Sequence, residues 1–372
     1  MRMPVKLAER IKDIYRNMNW VVFGTTVLLM VIGALAIYSA TSTSTKPFLM
    51  KQVVWYVIGF IIMMIFANIN YNNLISLANY LYAAFLIILV FVLFWGHESL
   101  GATRWIKIGG VQFQPSEFMK IIVSLAVIRF ILVRQKEAFT WKNLAKIAVL
   151  VAVPLFLILA QPDLGSAILI IPLVLVVLFM GNISVKKLVI ILIIGMLILP
   201  AGYLVLKDYQ KQRIKVFLNP DIDPLGAGYN VIQSQIAVGS GRLTGKGWVQ
   251  GTQSQLNFIP IKYTDFIFAV IAEEFGFLGG VAVTLIYFIL IMEGLKIVKL
   301  CRYNGGKMLG GALSIIIFSQ VTINIGMNIG IMPVTGITLP LLSYGGSSVL
   351  VIMIALGILQ NIYREYMKVE EK

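Results

Sequence analysis

The stretches KDYQKQRIKVFLNPDIDP (residues 207–224), GAGYNVIQSQIAVGSGRLTGKG (226–247) and GTQSQLNFIPIKYTD (251–265) make up the one long polar interruption in an otherwise apolar chain. A bilayer core about 30 Å thick is crossed by roughly 20 apolar residues in helical form. Runs of that length lie on both sides of the interruption, which therefore reads as a large loop between membrane-spanning helices. It ends on one acid, Asp265, where the apolar run F-I-F-A-V-I-A begins. A carboxylate at a membrane boundary is costly to desolvate and is a functional candidate by default. Around it stand glycine, glutamine and seven basic residues (Lys207, Lys211, Arg213, Lys215, Arg242, Lys246 and Lys262), a setting suited to an anionic substrate at the bilayer surface.

Composition agrees with this reading. Of 372 residues, 59% are hydrophobic and only 13% charged, against about a quarter charged in an ordinary soluble domain. The chain is a polytopic membrane protein of the all-α class. Its single cysteine, Cys301, excludes an intramolecular disulfide and a cysteine zinc cluster, and one histidine, His97, argues against a histidine metal site. The net charge of +15 suits anionic lipid and orientation signals in such a protein, not nucleic acid.

Ten spans are expected, over approximately 20–40, 52–69, 74–95, 116–133, 145–161, 164–181, 187–206, 266–295, 309–331 and 347–363. Residues 1–19 place Leu7, Ile11, Ile14 and Met18 on one helical face among Arg2, Lys6, Arg10, Lys12 and Arg16, the pattern of an interfacial amphipathic helix that leads, uncleaved, into the first span. Basic clusters (Arg134, Lys136, Lys142, Lys146; Lys296, Lys299, Arg302, Lys307) fall on alternate connections, whereas the opposite ones hold few cations: Lys46, Lys51, Arg104 and Lys107. The positive-inside rule then puts both termini in the cytoplasm and the 207–265 loop outside, on a single transmembrane domain spanning 1–372.

Four segments on the outer side carry the polar chemistry. In G-A-T-R-W-I-K-I-G-G-V-Q-F-Q-P-S-E-F-M-K (101–120), Pro115 and Ser116 suit a helix start, with Glu117 in its first turn. Glu117 and Lys120 share one helical face, either as a surface ion pair or as a polar cluster inside the bundle. In Q-P-D-L-G-S, Asp163 reads as a helix cap. In the long loop, Gly-Ser-Gly and Gly-Lys-Gly steps let backbone amides approach a ligand, and no Walker pattern is present. Asp221-Ile-Asp223, flanked by Pro220 and Pro224, reads as a turn before it reads as a metal-binding D-x-D. In M-P-V-T-G-I-T-L-P-L-L-S-Y-G-G-S-S (332–348), prolines and glycines break helix at membrane depth, which is tolerated only against protein or a wet cavity. Gly326 and Gly330 form a G-x-x-x-G packing seam, and Asn324 and Asn328 can hydrogen-bond across the bundle.

Together, R-W-I with Q-P-S-E-x-x-K, then Q-P-D-L-G-S, Y-T-D-F-I-F-A-V-I-A-E-E-F-G and P-V-T-G-I-T-L-P-L-L-S-Y-G-G-S-S resemble the SEDS family (shape, elongation, division and sporulation proteins) over nearly the whole chain. G-Y-N-V-I-Q-S-Q-I-A-V-G-S-G and G-T-Q-S-Q-L-N-F-I-P resemble its elongation branch, the RodA type, more than its division branch. Tyr263 stands where histidine is common in the family.

The resemblance implies a peptidoglycan glycosyltransferase of the bacterial cytoplasmic membrane that polymerises lipid II outside, with a class B penicillin-binding protein as transpeptidase partner. It implies Asp265 as the essential aspartate, Glu117 and Lys120 as the fourth-helix acid and base, and Arg104 as the loop arginine. A lipid II flippase, a scaffold that recruits a synthase, or the division or sporulation role of a paralogue within the family is the alternative reading.

Polymerisation needs a base for the attacking sugar hydroxyl and cations for the departing diphosphate. Asp265 suits the first task. Arg104, Lys107 and Lys120, then Arg213, Lys215, Arg242 and Lys246, are candidates for the second, with Gln253 and Ser343 completing the expected substrate-binding set. A divalent cation could share that task with them, although no ligand cluster stands out. Two opposed effects bear on Asp265: a helix dipole lowers its pKa and burial raises it.

Overall fold

The computed structural model describes residues 16–42, 47–99, 102–108, 111–205, 208–224, 226 and 228–370. Residues 1–15 of the expected interfacial helix, together with Lys46 and Lys207, lie outside the described residues.

The apolar runs fold as helices where the sequence supplies a start signal. Helix α1 (Trp20–Thr41) is capped by Asn19, whose Oδ1 accepts from Val22 N at 3.0 Å. Helix α2 (Phe48–Asn68) follows, and α3 (Tyr71–Trp95) is capped by Asn70 and stopped at Gly96. Helix α4 (Pro115–Arg134) opens on proline, where the missing N–H is harmless. Helices α5 (Trp141–Ala160), α6 (Leu164–Met180) and α7 (Val185–Val205) complete the part before the interruption. After it come α10 (Ile267–Leu300), α11 (Asn304–Asn328) and α12 (Gly346–Glu370).

Among the described residues, seven helices are long and apolar enough to cross a bilayer: α1, α2, α3, α5, α10, α11 and α12. Helix α6 is apolar but shorter. Helix α11 has 72% of its most apolar window buried in protein and α12 has 78%, against 17% for α3 and 22% for α2. The first two are therefore the centre of the bundle, and the others turn most of their apolar surface outward, as lipid-facing helices do. Helix α12 packs along α2, and α11 is wrapped by α4, α6 and α10.

Two segments depart from expectation. The stretch before α4 is not featureless: β1 (His97–Ser99), β2 (Ala102–Ile108) and β3 (Val111–Phe113) form a small antiparallel sheet in the order β1-β2-β3, with Ile106 opposite Phe113. The all-α expectation is corrected to that extent. The long loop is itself largely ordered, containing α8 (Asp208–Leu218), α9 (Tyr229–Ser240) and a single helical turn at Thr252–Gln255.

A strap at residues 242–247 then pairs with α10 where that helix breaks at Gly276 (φ 65°, ψ −162°). Phe277 N donates to Arg242 O at 2.8 Å and Leu278 N to Leu243 O at 3.1 Å. In return Lys246 N donates to Glu273 O at 3.1 Å and Gly247 N to Glu274 O at 2.9 Å. Backbone groups freed by a broken membrane helix must find partners, and the strap supplies them.

Candidate active site

The starts of α4 and α6 meet at one end of the bundle, and the entrance of α10, held by α11 and the 332–345 segment, brings Asp265 within the field of Arg104. Asp163 caps α6 by accepting from Ser166 N at 3.2 Å. It also accepts from Ser116 Oγ at 2.6 Å and Gln114 Nε2 at 2.8 Å, both at the start of α4, and Arg104 Nη1 on β2 stands 3.7 Å away. Burial opposes ionisation of this fully enclosed carboxyl. The Arg104 charge and the serine hydrogen bonds prevail, and hold Asp163 below the usual carboxylate range. The cap expected from the sequence is thus also an anchor for Arg104.

One turn further along α4, Lys120 Nζ lies 2.8 Å from Glu117 Oε2. The lysine side chain has no exposure and that of the glutamate 14%, which decides between the two readings of the pair: it lies inside the bundle.

Asp265 sits two residues before α10, partly exposed. The main chain around it is held from the 332–345 segment and from α11. Tyr344 N donates to Tyr263 O at 2.8 Å, and Ser343 Oγ to Thr264 O at 2.5 Å. The Asp265 carbonyl accepts from Asn324 and Asn328. Tyr263 packs on Phe48 and Tyr344, with ring centroids 4.4 and 5.9 Å away. Gly336, at φ +76°, presents a hydrogen to the carboxylate, where a Cβ would stand 3.6 Å from Oδ2.

Burial pushes the Asp265 carboxyl above its ordinary range. The charges of Arg104 and then Arg213, with a hydrogen bond involving Thr264, pull it down without overcoming that effect. Arg213, on α8, also lines a shallow surface depression walled by Phe217, Val231, Gln235, Met332 and Pro333. A carboxylate thus lies in the field of two guanidinium groups, one of which also lines a partly apolar hollow.

The pattern of the FtsW/RodA/SpoVE family of cell cycle proteins matches residues 16–368. This chain belongs to that family. It is 43% identical over 336 residues to the peptidoglycan glycosyltransferase MrdB of Escherichia coli K12, covering 90% of each chain. It superposes at a TM-score of 0.81 and 29% identity on a chain of a peptidoglycan synthase complex described as coordinating polymerisation and crosslinking, covering 94% of this chain and 98% of that one. It superposes on the rod shape determining protein RodA of Thermus thermophilus at a TM-score of 0.70 and 27% identity, covering 94% and 97%. Family membership and the apolar helices make it a multi-pass protein of the bacterial cytoplasmic membrane.

Within this FtsW/RodA/SpoVE fold the expected site residues divide into groups. Asp265, Arg104 and Arg213 act on one another, and Glu117 and Lys120 follow Ser116 on the helix whose start binds the Arg104 anchor. Lys107 on β2 and Lys215 on α8 are exposed. Arg242 is exposed and meets α10 through its main-chain carbonyl, which accepts from Phe277 N, whereas Lys246 and Gln253 gather around Glu273. That residue lies six positions into α10, about 9 Å of helix rise from Ile267. Lys246 Nζ is 2.7 Å from Glu273 Oε1 and 2.8 Å from Thr252 Oγ1, and Gln253 N donates to the same carboxylate at 2.8 Å. These contacts fasten the strap. Both hydrogen-bonding roles of the Ser343 hydroxyl are taken by protein, since it also accepts from Leu339 N at 2.8 Å.

Sequence reasoning left Asp163 as a simple cap and gave Glu273 no part. The spacing Gln114, Ser116, Asp163 carries no local signal, because the three meet only when α4 and α6 pack.

Proposed function

We propose that the chain joins lipid II disaccharide units into β-1,4 glycan strands at the outer face of the cytoplasmic membrane during elongation, with Asp265 as general base. The observation that carries this reading is the Asp265 carboxylate at the entrance of α10, its main chain fixed by Asn324, Asn328 and Ser343, in the field of Arg104 and Arg213 and raised above its ordinary pKa by burial. A base titrating nearer the working pH is a better proton acceptor, and such assistance is worth roughly two to four orders of magnitude.

In the reaction, Asp265 takes the proton of the sugar 4-hydroxyl as its oxygen attacks the anomeric carbon of the second molecule. The bond from that carbon to the phosphate oxygen breaks, and undecaprenyl diphosphate leaves with the electron pair. Attack from the face opposite the leaving group inverts the centre. Arg104 and Arg213 receive the developing negative charge, the kind of electrostatic help that is often the largest catalytic effect. Lys107 and Lys215, being exposed, suit capture of the diphosphate on approach.

A divalent cation fits this site poorly. Among the described residues no three histidine, cysteine, aspartate or glutamate side chains come together, and the charged neighbours of Asp265 are guanidinium groups. No step is assigned to a metal.

The topology follows from the charges. Helices α4, α6 and α7, added to the seven apolar ones, make ten spans in one domain. Arg134, Lys136, Lys142, Lys146, Lys296, Lys299, Arg302 and Lys307 cluster at the end opposite Asp265, so that end is cytoplasmic. A class B penicillin-binding protein is the fitting partner, since the similar structure is of a synthase complex concerned with both polymerisation and crosslinking.

The test is purified protein with its transpeptidase and lipid II in detergent, where there is no membrane to cross. Wild type should yield polymer and Asp265→Asn none while remaining folded. Polymer from that variant removes the base assignment, and none from wild type favours a flippase or scaffold.

A further inference from the structure

Helix α10 starts at Ile267, with Phe266 as its cap, and would extend back by one residue if Ala269 N donated to the carbonyl four residues earlier, on Asp265. That bond is not made. Ala269 N instead donates to Asn328 Oδ1 at 3.1 Å, alongside a tighter-turn bond to Phe266 O at 3.1 Å. Asn328 Nδ2 in turn donates to Asp265 O at 3.0 Å. One carboxamide from α11 is therefore inserted between the donor and the acceptor of the bond that would lengthen the helix. Asn324, one turn earlier on α11, adds a second donor to the same carbonyl at 2.9 Å and another to Ile337 O at 2.7 Å. A carbonyl oxygen has two lone pairs, and both on Asp265 are now engaged from outside α10.

We infer that Asn328, supported by Asn324, is a positioning residue for the transfer: its inserted carboxamide keeps Asp265 out of α10 and so fixes where the carboxylate points. This rests on the reading of Asp265 as the base. Were the carboxamide absent, Ala269 N and Asp265 O would be free to pair and the helix to extend backward. That extension would draw Phe266 into the helix and make Asp265 its N-cap, turning the main chain at Asp265 and with it the direction of the carboxylate relative to Arg104 and Arg213.

Helix cross-linking alone accounts for a buried asparagine between two membrane helices. It does not account for two asparagines converging on the carbonyl of this residue. Both asparagines are wholly buried. Asn328 Oδ1 also stands 3.4 Å from Ser234 Oγ, whose hydroxyl donates to Asn328 O at 2.9 Å, so the carboxamide is held in place from α9 as well.

The experiment measures steady-state polymerisation by the complex with its transpeptidase, for Asn328→Leu, Asn324→Leu and Asp265→Glu, and for Asn328→Leu combined with Asp265→Glu. Misplacing a reacting group by about 1 Å can cost about 100-fold. Asn328→Leu should lower kcat by about that factor with KM for lipid II within about twofold. Asn324→Leu, which leaves Asn328 inserted, should cost less. In the Asp265→Glu background the Asn328 substitution should cost much less than in wild type, because it acts through that carboxylate. An equal loss in both backgrounds would mark Asn328 as a purely structural cross-link and overturn the inference, as would an unchanged kcat. If Asn328→Leu does not fold, Asn328→Asp, which keeps an acceptor for Ala269 N but has no amide donor for Asp265 O, carries the same comparison in both backgrounds. Asp265→Asn run alongside separates the two levels: polymer from it removes the base reading itself, whereas an inactive Asp265→Asn with fully active asparagine variants removes only this inference.

Discussion

Arg104 Nη1 lies 3.7 Å from the Asp163 carboxylate, and the same guanidinium acts on Asp265 more strongly than Arg213 does. One cation is thus shared between a carboxylate it anchors to and a carboxylate it tunes. Both arginines lower the pKa of Asp265 against the larger effect of burial. A base works deprotonated, so the rate falls as pH drops through that pKa. Arg213→Gln removes one lowering influence and should move the acid limb of the rate profile to higher pH, read from polymerisation rates across pH. A shift to lower pH would contradict the assignment of these charges.

Arg104→Gln goes further, because it also weakens stabilisation of the departing diphosphate. Loss of one such charge-stabilising group typically costs 10²–10³ in rate, so kcat should fall by about 100-fold. The variant also leaves Asp163 without its cation, so its melting temperature should be measured beside the rate.

Asp163 allows a test with a definite sign. Its folded pKa is held below the ordinary aspartate value. Its contribution to stability is therefore fully present above the unfolded pKa of about 3.9 and lost as pH falls through the folded value. Asp163→Asn should be less stable than wild type at neutral pH, and the gap should close on acidification below about pH 4. Thermal unfolding in detergent at several pH values checks this; a gap that widens in acid would refute it.

The Glu117–Lys120 pair separates stability from chemistry. Removing one partner of a buried pair strands the other and costs about 3–5 kcal/mol, whereas replacing both is often near neutral. Glu117→Gln, which strands the fully buried Lys120, should be the less stable single variant. The double variant Glu117→Gln with Lys120→Met should recover most of the lost thermal stability. If the pair serves transfer, polymerisation should stay low in that double variant; wild-type rates would make the pair purely structural.

What was legible in the sequence follows from how local each signal is. The run 164–181 became Leu164–Met180 because a proline, an acid cap and a closing glycine sit next to the apolar residues themselves. The last helix runs past the expected 363 to Glu370, since Arg364 and Lys368 continue the helix after the apolar content ends. The small sheet had a signal that helical spans overshadowed: Thr103, Trp105 and Lys107 alternate with Arg104 and Ile106 before Gly109-Gly110. Asp265 was visible because it stands alone at a boundary. Its supports were not, because Asn324, Asn328 and Ser343 reach it only through packing, from about 60 to 80 residues further along the chain.

Gly276 gives a clear test of the strap. Its ψ of −162° at φ 65° belongs to a region essentially reserved for glycine. A Cβ there would stand 2.6 Å from the main-chain carbonyl group of Leu243, with backbone on both sides and no flexible side chain to yield. Gly276→Ala should therefore combine backbone strain of about 1–3 kcal/mol with a steric clash that pushes the strap off α10. Loss of the strap exposes the N–H groups of Phe277 and Leu278 and loosens the Lys246–Glu273 pair, so a clear fall in melting temperature is expected. At Gly24, on α1, an added methyl group would meet nothing within 4 Å, and Gly24→Ala should be neutral or slightly stabilising, by up to about 1 kcal/mol. Equal stability of the two alanine variants would show that the break in α10 is not held by the strap.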